Sequence, residues 1–106
     1  MSCFFKSKEV SVSIQNNSSV RFDSAHAFIN NHKIKFNDIQ LKERVTAFTT
    51  TDSISAGHDV LYSFKLFIKD SIVGQATYYS NDMGYVENEF KVIINDSLQI
   101  KRDISQ

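Results

Sequence analysis

Apolar and polar residues alternate along Val60–Lys69, where Val60, Tyr62, Phe64, Leu66 and Ile68 are interleaved with Leu61, Ser63, Lys65, Phe67 and Lys69. Period two is the signature of a strand with one buried face. After Lys69-Asp70-Ser71, the positions Ile72, Gly74, Ala76 and Tyr78 resume the alternation, which predicts a hairpin. Asp and Ser suit its turn because they bond their own backbone and accept turn geometry. The same grammar recurs from Phe90 to Leu98, an apolar run, the break Asn95-Asp96-Ser97 and a further apolar residue. A looser relative runs from His32 to Leu41. This is hairpin grammar rather than a solenoid, which needs at least about three clean copies.

Other segments read the same way. Val10, Val12 and Ile14 alternate with Ser11, Ser13 and Gln15 before the break Asn16-Asn17-Ser18-Ser19, and Val20 and Phe22 open a short strand. Ala25–Ile29, the break Asn30-Asn31, and Ile34 with Phe36 predict another hairpin, in which His26 faces Lys35 and His32 faces Ile29. Val86, Asn88, Phe90, Val92 and Ile94 share one face, and Leu98 and Ile100 return after the break.

Residues 39–48 support two readings. Leu41, Val45 and Phe48 fall at helical spacing behind a capping Asp38, whereas Ile39, Leu41, Val45 and Ala47 alternate. The β-rich run Val45-Thr46-Ala47-Phe48-Thr49-Thr50 favours a strand, with one short helix as the alternative. Thr49–His58 and Ser80–Gly84 read as loops. The expectation is one all-β domain over residues 1–106, an antiparallel sandwich or strongly bent meander of about seven to nine short strands. Phe67 and Ile93 fall on the face opposite Leu66 and Val92, where a solvated sheet would be polar. Burial within the sandwich is expected for both, with an apolar contact to another subunit as the alternative.

Composition narrows the function classes. Lys+Arg and Asp+Glu are both 12, so the balanced charge predicts neither a nucleic-acid nor a membrane partner. Lys33 and Lys35 beside Phe36, with Arg21, Lys42 and Arg44 as further candidates, form a short basic-aromatic ribbon. A single-strand platform would need stacking aromatics on that basic face. A single cysteine, Cys3, no signal-like start and no long apolar run lead to the expectation of a cytoplasmic protein.

No catalytic constellation is legible. His26, His32, His58 and Cys3 match no zinc spacing, so no metal is expected. Ser24 near Asp23 and His26 is no triad, and three glycines make neither a phosphate loop nor a dinucleotide fingerprint, so no cofactor is expected. His58 and Asp59, with Asp52 nearby, are the best candidates for acid–base chemistry or a ligand site.

The segment Tyr78–Glu89 is the most suggestive surface. Tyr78, Tyr79 and Tyr85 offer contact area at low entropic cost, and Asp82, Glu87 and Glu89 complement a cationic partner. These six residues are the expected partner-binding site. The expected function is a small non-enzymatic protein-binding domain, most specifically a cytosolic immunity or inhibitor protein of the bacterial kind. Such a protein occludes the active site of a basic, nuclease-like toxin or enzyme. A small β-fold enzyme or ligand binder using His58 and Asp59 is the alternative.

Overall fold

The computed structural model describes residues 9–50, 60–80 and 89–103. Eight strands follow one another: β1 Glu9–Asn16, β2 Phe22–Ile29, β3 His32–Ile39, β4 Arg44–Thr50, β5 Val60–Ile68, β6 Ser71–Ser80, β7 Glu89–Ile94 and β8 Ile100–Arg102. They form two four-stranded sheets, ordered β4-β1-β7-β8 and β3-β2-β5-β6. The molecule is an all-β sandwich, as the alternation predicts. Among the described residues no helix forms, so none is long and apolar enough to cross a membrane. One pairing departs from the antiparallel expectation, because β1 runs parallel to β7.

The alternating residues build the core. Val10, Val12, Ile14, Phe90, Val92 and Ile94 of the first sheet meet Phe22, Ile29, Val60, Tyr62, Phe64 and Leu66 of the second, all essentially inaccessible to solvent. Phe90 crosses the gap, stacking on Tyr62 at 3.9 Å between ring centroids and lying 5.8 Å from Phe64. In β2 the inward residues Ala25 and Ala27 are small. Each is flanked by a large neighbour on either side, Phe36 and Leu66 for the first, Ile34 and Phe64 for the second. Alternating bulk of this kind lets facing layers interdigitate at native density.

Turn chemistry explains the hairpins. Lys69 and Asp70 both adopt positive φ (50° and 66°), as a two-residue type I′ turn requires, so the turn is one residue shorter than the polar break suggests. The second copy of the pattern closes differently. Asn95 accepts bonds on its side-chain oxygen from the backbone of Ser97 and Gln99, and Leu98 sits at φ 60° inside the turn rather than in a strand. The β2–β3 hairpin has the predicted register, pairing His26 with Lys35 and Ile29 with His32. In β6 a bulge opposite Leu66 and Phe67 accompanies Gly74, where an added Cβ would lie 3.0 Å from the Leu98 carbonyl oxygen. A glycine there permits the backbone of β6 to approach the β7–β8 turn.

Residues 39–48 are neither helix nor one strand. β3 ends at Ile39 and β4 begins at Arg44, with a turn between them in which Lys42 has φ 62°. This turn carries the chain from the second sheet to the first, and Asn16–Val20 carries it the other way. Both crossovers converge on Asn16, whose side chain is fully buried. Its amide nitrogen donates to the carbonyls of Val20 (2.8 Å) and Gln40 (3.1 Å). Its amide oxygen accepts from the Ser18 backbone (3.0 Å) and the Ser18 hydroxyl (2.6 Å). Its own backbone pairs with Glu43 and Lys42.

Replacing Asn16 by Leu removes four hydrogen bonds and leaves the buried Ser18 amide without its acceptor, while the Val20 and Gln40 carbonyls keep donors in the Ser18 hydroxyl and the Glu43 amide. With about 0.5–1.5 kcal/mol for each lost bond and about 1–3 kcal/mol for an unsatisfied buried group, the loss is expected to reach about 3 kcal/mol. Asn17→Ala, at an exposed neighbouring side chain, should stay within about 0.5 kcal/mol of the parent. Urea unfolding followed by circular dichroism measures both. Phe90→Ala is expected to cost about 3–5 kcal/mol in the same experiment.

Candidate functional site

Asn16 closes one end of the sandwich, and the connections between Thr50 and Val60 and between Ser80 and Glu89 leave from the other. Surface chemistry concentrates at this second end. On the first sheet Ser11 pairs with Phe48 on one side and with Glu89 on the other. With Glu9 these residues line a surface depression, in which Phe48 is 64% exposed. An exposed aromatic ring sharing a depression with two carboxylates is an anchor suited to a cationic surface. On the second sheet Leu61 and Tyr79 are a cross-strand pair, 40% and 65% exposed.

The expected Tyr/acid surface is thus divided by the fold. Tyr78 points between the sheets, packs near Phe64 and Phe90, and donates its hydroxyl proton to the Ile100 carbonyl at 2.5 Å. Burial raises its phenol pKa above the ordinary tyrosine value. Tyr79, one residue on, faces out by the same alternation. Glu89 is exposed on the other sheet, 3.7 Å from the Lys91 ammonium. Asp82, Tyr85 and Glu87 lie outside the described residues. Phe48, which sequence reasoning passed over, was legible as the outward member between Ala47 and Thr49.

A different surface occupies the outer face of the second sheet. Its strand order places Lys35, His26, Lys65 and Gln75 in one row across β3, β2, β5 and β6. The next row is Lys33, Phe28, Ser63 and Thr77. His26 stacks against Phe67 at 4.6 Å and meets the edge of Phe28 at 6.4 Å, while the Lys65 ammonium lies 5.9 Å from the Phe28 centroid. Phe67 therefore packs on the outer face against its neighbours, and Ile93 is half-buried on the outer face of the first sheet.

Of the cations expected to extend the ribbon, none does so. Arg21 binds Asp38 (2.7 Å) and Asp23 (2.8 Å) at the sandwich end, Lys42 donates to the Asn17 carbonyl, and Arg44 donates to Gln15 on the first sheet. Phe36 is buried in the core. Lys65, supplied by β5, takes the place of these cations. Asp23 also accepts from the Lys69 backbone at 2.7 Å, and this bond, ahead of the Arg21 contact, holds its carboxyl below the usual range.

No acid–base pair or metal centre emerges among the described residues, where no three His, Cys, Asp or Glu side chains converge. His32 shares a 3.0 Å hydrogen bond with the Thr49 hydroxyl, tying β3 to β4 across one sandwich edge as Tyr78 and Ile100 tie β6 to β8 across the other. His58, Asp59, Asp52 and Cys3 lie outside the described residues.

No family model matches the chain, and no curated protein does. Among solved structures it resembles the NMR structure of a protein from Eubacterium rectale, with a TM-score of 0.56 and 10% identity over 100% of this chain and 96% of that one. At that identity the likeness extends to the fold alone.

Partial burial, followed by the charges of Lys33, Lys35 and Lys65, lowers the His26 pKa below its ordinary value. The unfolded chain then binds a proton before the folded one as pH falls. The stability linked to His26 is therefore present above about pH 6.5 and lost as pH drops through the folded value. An NMR titration of the His26 ring should give a midpoint below that of free histidine, moving upward in Lys35→Gln. A midpoint at or above that of free histidine contradicts the assignment.

Proposed function

We propose that this domain acts by binding a protein partner, and that in its most specific form it is an immunity or inhibitor protein occluding the active site of a cationic enzyme or toxin. The observation that carries this reading is Phe48, a large aromatic side chain 64% exposed at the end remote from Asn16. It lines a surface depression with Glu9 and Glu89, and Leu61 and Tyr79 are exposed at the same end on the outer face of the second sheet. Aromatic anchors within a polar rim are the usual energetic centre of an interface.

Carboxylates beside the anchor favour a basic partner and speed its encounter. The connection from Ser80 to Glu89 carries Asp82 and Glu87, so its composition adds to the same charge sign. Occlusion requires only shape and charge from such a domain, with no reacting group of its own.

The test is isolation of the partner by affinity capture, followed by assay of its activity with and without the domain. A stoichiometric partner whose activity falls on addition of the domain is expected. Phe48→Ala or Glu89→Lys should weaken binding about 10-fold or more without moving the urea midpoint. Unchanged affinity in Phe48→Ala, Tyr79→Ala and Glu89→Lys together would remove this surface from consideration.

A further inference from the structure

We propose that the outer face of the β3-β2-β5-β6 sheet binds single-stranded nucleic acid, through Lys33, Lys35 and Lys65 for phosphates and through Phe28, Phe67 and His26 for bases. This goes beyond the protein-binding reading, whose anchor Phe48 and carboxylates Glu9 and Glu89 lie on the other sheet, so either can fail alone; only Leu61 and Tyr79 border this face, as its next row.

The first argument is the charge of the face. By register, none of the outward positions in its two central rows is acidic, whereas three are lysines. Among the described residues, Asp23 and Asp38 at the end of the sheet are bound by Arg21. A neutral net charge thus conceals a locally cationic surface, and a local patch is what a polyanion meets.

The second argument is the aromatic content. Three rings on a solvated sheet face are unusual, because outward positions of an antiparallel sheet are normally polar. His26 meets Phe28 on one side and Phe67 on the other, and all three are half-buried rather than enclosed. His26, kept neutral at pH 7 by its surroundings, behaves there as a third flat ring rather than a further cation. A nucleic-acid strand offers a phosphate to each lysine and an unstacked base to each ring. An acidic peptide would use the lysines and leave the rings without a comparable partner.

The third argument is spacing. Lys33 and Lys35 lie two residues apart on one strand, about 6.6 Å by strand geometry, and Lys65 stands two strands away, about 9.6 Å across the sheet. His26 and Phe28, on β2, occupy the strip between these charges, and Phe67 lies on β5 two residues from Lys65. Cations bordering a strip of rings match the platform on which single strands are held by stacking and backbone neutralisation. A duplex keeps its bases stacked inside and could use only the charges.

Fluorescence anisotropy with labelled oligo-dT and oligo-U of about 12 nucleotides, against a duplex of the same length, tests this over about 50–200 mM salt. Tighter binding to the single strands is expected, with a slope of log K against log salt near −2 for three neutralised phosphates. Lys33→Gln with Lys35→Gln, at two exposed positions, should reduce that slope to about −0.7. Phe28→Leu keeps apolar bulk while removing the ring, and should weaken single-strand binding about 10-fold. Phe48→Ala, on the other sheet, should leave it unchanged.

Absence of single-strand binding at about 50 mM salt overturns the proposal. So does equal binding of duplex and single strand that is indifferent to Phe28→Leu. Competition by poly-glutamate equal to that of the unlabelled oligonucleotide also overturns it, since the occupant would then be an acidic protein segment.

Discussion

A sandwich of two sheets needs something to fix how the chain passes between them, and in this protein that is the buried amide of Asn16. A single side chain with two donors and an acceptor satisfies groups from both crossovers, at Ser18 and Val20 on one and at Gln40 on the other. Of these groups the Ser18 amide is buried and would otherwise lack an acceptor. Because all of them require the same residue in the same place, neither crossover can shift without disturbing the other. The entry of β2 and of β4 into their sheets depends on that arrangement, since a slip of one residue exchanges the faces of a strand.

The surface chemistry follows from how strands are sorted into sheets. Alternation sends Lys33, Lys35 and Lys65 outward, but only the order β3-β2-β5 places them on one face. Glu9 and Glu89 likewise become neighbours of Phe48 because β1 lies between β4 and β7. A chain with no net charge thereby acquires one cationic-aromatic face and one end where an exposed ring lies beside two carboxylates. These surfaces suit different partners, and their separation onto the two sheets allows each to be altered without touching the other.

The part of this legible in the sequence is the part governed by near neighbours. The alternation in β1, β5 and β7 identified the inward residues, and the Asn30-Asn31 break set the pairing of His26 with Lys35. The turn at 40–43 was obscured because Leu41 extends the apolar alternation, while its backbone partner is the distant Asn16. The two copies of the hairpin pattern look alike yet close differently, since Leu98 lies in a turn whereas Ile72 pairs with Phe67. Lys65 could not be joined to Lys33 and Lys35 without knowing that β2 separates their strands. Tyr78 and Tyr79 look equivalent as neighbours, and only the alternation carried through β6 divides them into one packing residue and one exposed residue.

The parallel pairing of β1 with β7 has a consequence for how the chain assembles. The β2–β3 and β5–β6 hairpins join neighbours in sequence and can form early, whereas the first sheet has β1 and β7 at its centre, separated by most of the chain. Closing so long a loop precedes any reward from the contacts it makes, which slows folding. During synthesis β1 must therefore wait, with β4 as its sole partner, until the ribosome has released the residues up to Ile94. Through that interval Val10, Val12 and Ile14 form an unfinished sheet edge, and a chain stalled before β7 would present that edge to its neighbours.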